Sequence, residues 1–354
     1  MKTSIGNFKE LLFLILFMIL ASPVSAQFRN DSLQTVKYDS VREIYIKDFP
    51  HKFYIKPILT VRNLTLEFND ENKNANKITY NPSSSTYFGF GLYLFEIGAE
   101  LSFKLHQDEA NKPVEKFGET KSFDFQSNIY TKRWGADIAY QRYRGLYLDK
   151  PGRHYSSYQA GDNYPQRPDL TLRNFQLNAF YIFNHKKFSY RSAYNQADRQ
   201  LKSTGSPILG VFFANYKYDA DSTLIPQSAQ GAYPGNENNR FGRISTLALF
   251  PGYTHTFIYR KFYFNASLSI GPAHLWTKYN VDDLEKEDII IRPIYNIRVA
   301  AGFNGDWFFA GITLVNQVVS AKIDNLEVNG TSGNIKIFLG VRLEEVGVLK
   351  ERLF

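Results

Sequence analysis

Phe262-Tyr263-Phe264-Asn265-Ala266-Ser267-Leu268-Ser269-Ile270 decides the fold. Phe262, Phe264, Ala266, Leu268 and Ile270 are apolar, and the residues between them carry hydroxyl or amide groups. A period of two is that of a β-strand with one face against apolar surroundings and one against polar ones. The same alternation recurs at Ile97 to Leu105, Phe123 to Ile129, Phe175 to Phe183, Tyr295 to Phe303 and Ile335 to Leu343.

A soluble sandwich would share this pattern, and three features favour a barrel in lipid instead. The alternating segments run to about ten residues, the length a tilted membrane strand needs, against five or six in soluble sheets. Connections alternate between short ones (Leu94-Phe95, Lys132 to Trp134, Asn184 to Lys186, Arg260, Asn304-Gly305) and long polar ones (69–83, 106–119, 149–169, 277–289, 321–332). Trp134, Tyr143, Tyr147, Tyr253, Tyr259, Trp276 and Trp307 collect near strand ends, where an amphipathic ring suits a membrane–water boundary. The expected fold is therefore all-β: a transmembrane antiparallel up-and-down β-barrel of about twelve strands, with short periplasmic turns and long outer loops.

The start of the chain agrees with export. Lys2 and Lys9 precede an apolar run from Leu11 to Leu20, and Val24-Ser25-Ala26 supplies small residues for cleavage, so residues 1–26 read as a signal peptide. Residues 27–50 read as a periplasmic lead-in with little structure, and 51–354 as the barrel. The chain has no cysteine, which excludes disulfide stapling. Aromatic residues make up 16% of the 354, yet mean hydropathy is negative, as expected when only alternate residues meet lipid. The net charge of +8 on an exported chain points to lipopolysaccharide or an anionic solute and away from nucleic acid.

The expected spans are 52–68, 85–93, 96–105, 120–131, 135–148, 170–183, 243–258, 261–276, 290–303, 306–320 and 333–344, with one more inside 187–218. That last region holds two apolar pieces, Phe188 to Tyr194 and Ile208 to Tyr218. A single crossing keeps the short and long connections in step and puts both termini in the periplasm. The other piece is then an extended loop hairpin or a plug. Lys336 to Leu343, a terminal strand ahead of Phe354, has the loose form read by outer-membrane assembly machinery.

Tyr80-Asn81-Pro82 leading to Gly89-Phe90-Gly91, and Phe188-Ser189-Tyr190-Arg191 followed by Gln200-Leu201-Lys202-Ser203-Thr204-Gly205-Ser206, carry a resemblance to a known family. The chain resembles the Bacteroidota outer-membrane barrels grouped as domain of unknown function 4421. The resemblance implies the barrel and its location, and no activity.

Four groups of residues could carry chemistry. A Ser–His pair for interfacial acyl hydrolysis can be imagined from His255 and Ser269 on adjacent strands, but no hydrolase motif surrounds either. Asp282, Asp283, Glu285, Glu287 and Asp288 form an acidic loop without the regular glycine-bearing spacing of a calcium site, so a solvated loop is expected, with no metal and no cofactor. The Tyr-rich stretch from Arg153 to Pro165 reads as a lid over the mouth or a sugar-stacking loop. The fourth group lies on the polar face of the strands. Glu100, Asp124 and Asp137 fall on three consecutive strands, with Lys104 the exception among them. Lys56, Arg62, Arg292, Arg298, Lys336 and Arg342 cluster around the closure. An acidic wall facing a basic one gives either a transverse field in a pore or charges that pair and fill the lumen. The leading expectation is a non-enzymatic channel for small polar or anionic solutes. The rivals are a closed envelope barrel binding lipopolysaccharide or glycans through its outer loops, and the interfacial hydrolase.

Overall fold

The computed structural model describes residues 40–50, 52–70, 77–83, 85–94, 97–105, 112–281, 284–323 and 326–345. The signal-peptide stretch 1–26, most of the lead-in and Phe354 lie outside the described residues.

The strands are β1 (Ile46–Asp48), β2 (Lys52–Asp70), β3 (Ile78–Asn81), β4 (Thr86–Leu94), β5 (Ile97–Lys104), β6 (Lys121–Tyr130), β7 (Trp134–Leu148), β8 (Gln166–Ile182), β9 (Asp198–Gln200), β10 (Thr204–Asp219), β11 (Phe241–Tyr259), β12 (Phe262–Val281), β13 (Leu284–Asn304), β14 (Phe308–Ile323) and β15 (Leu326–Glu344). Each of the twelve expected spans is one of them. Antiparallel ladders run from β15 through β14, β13, β12, β11, β10, β8 and β7 to β3 and β2, and β2 pairs with β15 to close a ring of ten. β4 and β5 extend from β2, and β6 extends from β7.

The ring closes differently at its two ends. At the long-loop end, short β3 bridges Leu66–Phe68 of β2 and Tyr147–Leu148 of β7. Toward the short turns, β4 pairs with β2 over 54–61 and β6 with β7 over 135–144. The wall there consists of β4, β5 and β6. Among the described residues no backbone ladder joins β5 to β6, so each presents an unpaired edge at this seam.

Outward positions carry large apolar side chains. Phe90, Leu101, Phe103, Phe123, Leu249, Phe257, Phe264, Ile270, Ile297, Ile337 and Leu339 are all exposed. A closed sheet with this outer face and polar groups within is a membrane-spanning barrel. Trp134, Tyr253, Tyr259 and Trp307 point outward near strand ends, as an interfacial girdle requires. Tyr143 does not, being buried on the inner side of β7, and Tyr147, beyond the bulge at Gly145, is buried under Phe117 and Tyr164 of the long loops.

Two connections read as loops are strands. Thr277 to Val281 pairs with Leu284 to Asp288, and Ser320 to Ile323 with Leu326 to Asn329. β13 has 21 residues, about 70 Å of strand at ~3.3 Å per residue, roughly twice what a tilted bilayer crossing needs. The barrel therefore projects beyond the lipid at its long-loop end. Inside that projection the face turns apolar: Leu64, Leu66, Phe68, Tyr216, Tyr218, Leu275, Val319 and Val328 form a buried core. Gly330 makes room for it. A Cβ there would stand 2.7 Å from the Tyr216 ring, which crosses the lumen so that its hydroxyl donates to the Thr65 carbonyl at 2.8 Å.

The ambiguous 187–242 region resolves into one crossing, β10, and a plug. Phe183 to Ser203 dips into the barrel from the short-turn end and back. Its single helical turn, Tyr190–Tyr194, is capped by Ser189, whose hydroxyl accepts from the Ser192 amide. The lead-in is not structureless either: a helix over Ser40–Tyr45 runs into β1, which pairs with β9 of the plug.

Candidate functional site: the charged lumen

Period-two geometry sends the even residues of β2 inward: Tyr54, Lys56, Ile58, Thr60 and Arg62 are all buried. The charges expected on opposed walls meet one another. Lys56 Nζ stands 3.0 Å from Glu100 Oε1, and Lys336 takes Glu100 Oε2. Arg62 pairs with Asp124 at 3.1 Å, stacks on the Tyr87 ring at 4.5 Å and donates to Ser102 Oγ at 2.6 Å. Asp124 also accepts from Gln141 (2.9 Å) and Tyr143 (3.0 Å). Arg298 pairs with Asp137 at 2.7 Å, and Asp137 accepts further from Tyr130 and Asn178.

The remaining three lie apart. Lys104 donates to the Thr120 carbonyl. Arg292, partly exposed toward the long-loop end, pairs with Glu327 at 3.2 Å. Arg342 lies between the Phe49 and Phe309 rings, at 4.0 and 4.7 Å, and donates to Gly305, Gln196 and Asn304. It thus ties the barrel wall to the plug.

Sequence reading missed the plug's own ionic centre. Asp198, 1% exposed at its side chain, accepts from Arg42 (3.1 Å), from Arg191 (2.7 Å to Oδ1) and from Ser189 (2.6 Å). Burial works to raise its carboxyl, but the two guanidinium groups and Ser189 outweigh it and hold it below the ordinary carboxylate range. From the same plug Tyr194 donates to Asn265 (2.9 Å), Arg191 to Tyr93 (3.2 Å) and Gln196 to Tyr263 (3.2 Å). Asn304 donates to the Ser192 and Asp198 carbonyls. Below it, Asp306 in the β13–β14 turn is held low by its hydrogen bonds to Lys47 and Arg199. Only a concentration of Arg, Asp, Ser and Gln in a stretch too polar for lipid marks this region in the sequence.

These depressed carboxyls give the plug a pH dependence. A lowered native pKa contributes stability that is full above the unfolded value of about 3.9 and is lost as pH falls below it. Hydrogen exchange of residues 188–202 is expected to accelerate between about pH 4 and pH 2 while the β11–β13 ladders stay protected. Uniform protection across that range would contradict the ionic anchoring.

Apart from the charges, the other candidates separate. His255 stands opposite Ala266 and Ser269 opposite Gly252. The two therefore lie on opposite faces of the sheet, His255 with outward Tyr253 and Phe257, and Ser269 inward and buried. The imagined pair does not form. In the acidic stretch Glu285 and Glu287 pair with Lys278, and Asp288 accepts from Tyr279 at 2.6 Å; Asp282 and Asp283 lie outside the described residues. Among the described residues no three potential ligands gather into a metal site. The Tyr-rich stretch folds over the mouth: Tyr155 packs on the long-loop core, and Tyr164 stacks on Phe117 at 4.6 Å.

Between the plug and the long-loop core a polar cavity of about 90 Å³ remains, lined by Lys56, Glu100, Gln126, Gln317, Asn334 and Lys336 among others. The lumen is thus closed by apolar side chains at one end, by ion pairs in the middle and by the plug at the other.

No curated protein matches this chain. Among solved structures it is similar to the outer-membrane protease OmpT of Escherichia coli, at 7% identity over 83% of this chain and 97% of that one, with a TM-score of 0.39. It is also similar to Ail, the attachment invasion locus protein of Yersinia pestis (14% identity, 60% and 98% covered, TM-score 0.24), and to the Pseudomonas putida toluene transporter TodX (8% identity, 84% and 90% covered, TM-score 0.26). All three are distant likenesses. The model of the domain of unknown function DUF4421 matches residues 37–343, nearly all of the barrel and its plug, and the chain belongs to that family.

Proposed function

We propose that this protein is an outer-membrane barrel, closed at rest, that acts at the envelope surface through its long-loop end. In this reading the short turns, the plug and both termini face the periplasm. The observation that carries it is the filled lumen: inward charges pair with each other, and the apolar core blocks the projecting half. The exposed apolar belt supports placement in a bilayer. At the long-loop end, Phe117, Tyr147, Tyr158 and Tyr164 cluster, with Lys112 and Lys116 over their rings. Rings beside ammonium groups suit the sugars and phosphates of lipopolysaccharide. The assembly machinery is the proposed partner of the terminal strand.

A second reading, a gated channel for small polar or anionic solutes, is favoured by one feature. β1 and β9 form a separate two-stranded sheet outside the barrel's own ladders, so the plug is removable without breaking the wall. Planar-bilayer conductance separates the two. The intact protein is expected to be silent, and so is a variant with residues 186–202 replaced by a short Gly-Ser link, because the long-loop core still fills the lumen. Steady single-channel currents from the plug-deleted form would overturn the closed reading in favour of the channel. Binding to lipopolysaccharide micelles, weakened several-fold by Phe117→Ala with Tyr164→Ala, is the positive expectation.

A further inference from the structure

We infer that the mid-lumen cavity is a binding site for a small carboxylate. Two ammonium groups, Lys56 and Lys336, converge there on one carboxylate, Glu100, with Lys56 3% exposed at its side chain. Among the described residues no second carboxylate lies within ion-pair distance of either lysine. The neighbouring Arg298–Asp137 pair is already balanced. The cluster therefore sets two ammonium groups against one carboxylate in a largely enclosed space, an arrangement that calls for an anion.

A separate observation points the same way. Gln317, 5% exposed and on the cavity wall, has its Nε2 donor buried with no hydrogen-bond partner among the described residues. Buried donors are rarely left unmade. Asn334 meanwhile directs its own amide nitrogen to Gln126 at 3.0 Å. Lys56, Lys336 and Gln317 thus line one space with more donors than acceptors, Asn334 Oδ1 being the buried acceptor left unpartnered there among the described residues, and the two ammonium groups can take a planar oxyanion. Glu100 itself shows that a carboxylate bridges the two ammonium groups. The volume, about 90 Å³, admits on the order of six waters, so the ligand is limited to about that number of non-hydrogen atoms. This inference does not depend on whether the lumen conducts.

Isothermal titration of the full-length barrel in zwitterionic detergent, with sodium acetate, phosphate and chloride in separate runs, tests it. Retained heat-modifiable gel mobility certifies the fold of each variant. Acetate is expected to bind saturably at one site and more tightly than chloride or phosphate. Glu100→Gln, which removes the competing internal carboxylate, is expected to tighten binding about tenfold or more, and Lys336→Met to weaken it by a similar factor. Gln317→Leu removes only the free donor and is expected to weaken acetate several-fold. It decides the matter if Lys336→Met does not fold. Absence of saturable acetate binding in both the native protein and Glu100→Gln would overturn the site, as would affinity unchanged by Gln317→Leu. A preference for phosphate or chloride would overturn the carboxylate class.

Discussion

Asp198→Ala is expected to release the plug. The substitution strips Arg42 and Arg191 of the carboxylate between them while both remain largely buried. Breaking one side of a buried ion pair costs about 3–5 kcal/mol. Arg42 keeps Asp48 and the His185 carbonyl, and Arg191 keeps Tyr93, so the lower part of that range applies. The loss falls on plug docking and spares the barrel ladders. Trypsin reports it directly, because Lys186, Lys187, Arg199 and Lys202 all lie in the plug or its hinges. Cleavage there is expected to accelerate about a hundredfold, with heat-modifiable mobility unchanged. Unchanged cleavage would mean that the plug is held by the packing of Tyr190 and Tyr194 and by the hydrogen bonds of Gln196, Asn304 and Arg342, without the ionic centre.

Arg62→Met is expected to loosen the wall itself. Arg62 reaches from β2 to Ser102 on β5 and Asp124 on β6, so one side chain staples from within the seam that no ladder closes. Its loss leaves the fully buried Asp124 charged with only Gln141 and Tyr143 as donors, at a cost of about 3–5 kcal/mol. Adding Asp124→Leu removes the stranded charge and is expected to recover part of that stability. Because the chain has no native cysteine, spin labels at Leu101→Cys and Phe123→Cys, both outward, report the seam alone. A distance distribution broadened by Arg62→Met is the expected result. A distribution as narrow as in the unsubstituted protein would deny Arg62 the stapling role.

The strands were legible because the period of two is imposed by lipid outside and polar groups inside along the middle of each crossing. Phe262 to Ile270 displays both. The alternation could not say that the inner face turns apolar above Leu64, because an inward leucine and an outward one look alike once a strand leaves the bilayer. For the same reason Lys278, Glu285 and Glu287 read as a polar loop when they decorate a two-stranded ribbon. By position Tyr143 suits the girdle, yet it donates to Asp124 from the inner side: a tyrosine near a strand end suits either side of the wall. The segregation of Glu100, Asp124 and Asp137 from Lys56, Arg298 and Lys336 was readable from parity alone, whereas their direct pairing depends on how far the lumen narrows. Asp198 was out of reach, since its partner Arg42 lies 156 positions away in the chain.

The ladder between β2 and β15 joins Lys52 to Glu344 and Asp70 to Leu326. The first long strand made is thus the neighbour of the last. Closing a loop of on the order of 300 residues carries an entropic cost of about 5 kcal/mol, and nothing offsets it until the 19 residues of β15 arrive. Until then the nascent sheet has raw margins at β2 and at β14 besides the seam edges of β5 and β6, each able to pair with a foreign strand. Completion is therefore a late and single event, and a chain broken anywhere ahead of Leu326 is left as an open sheet.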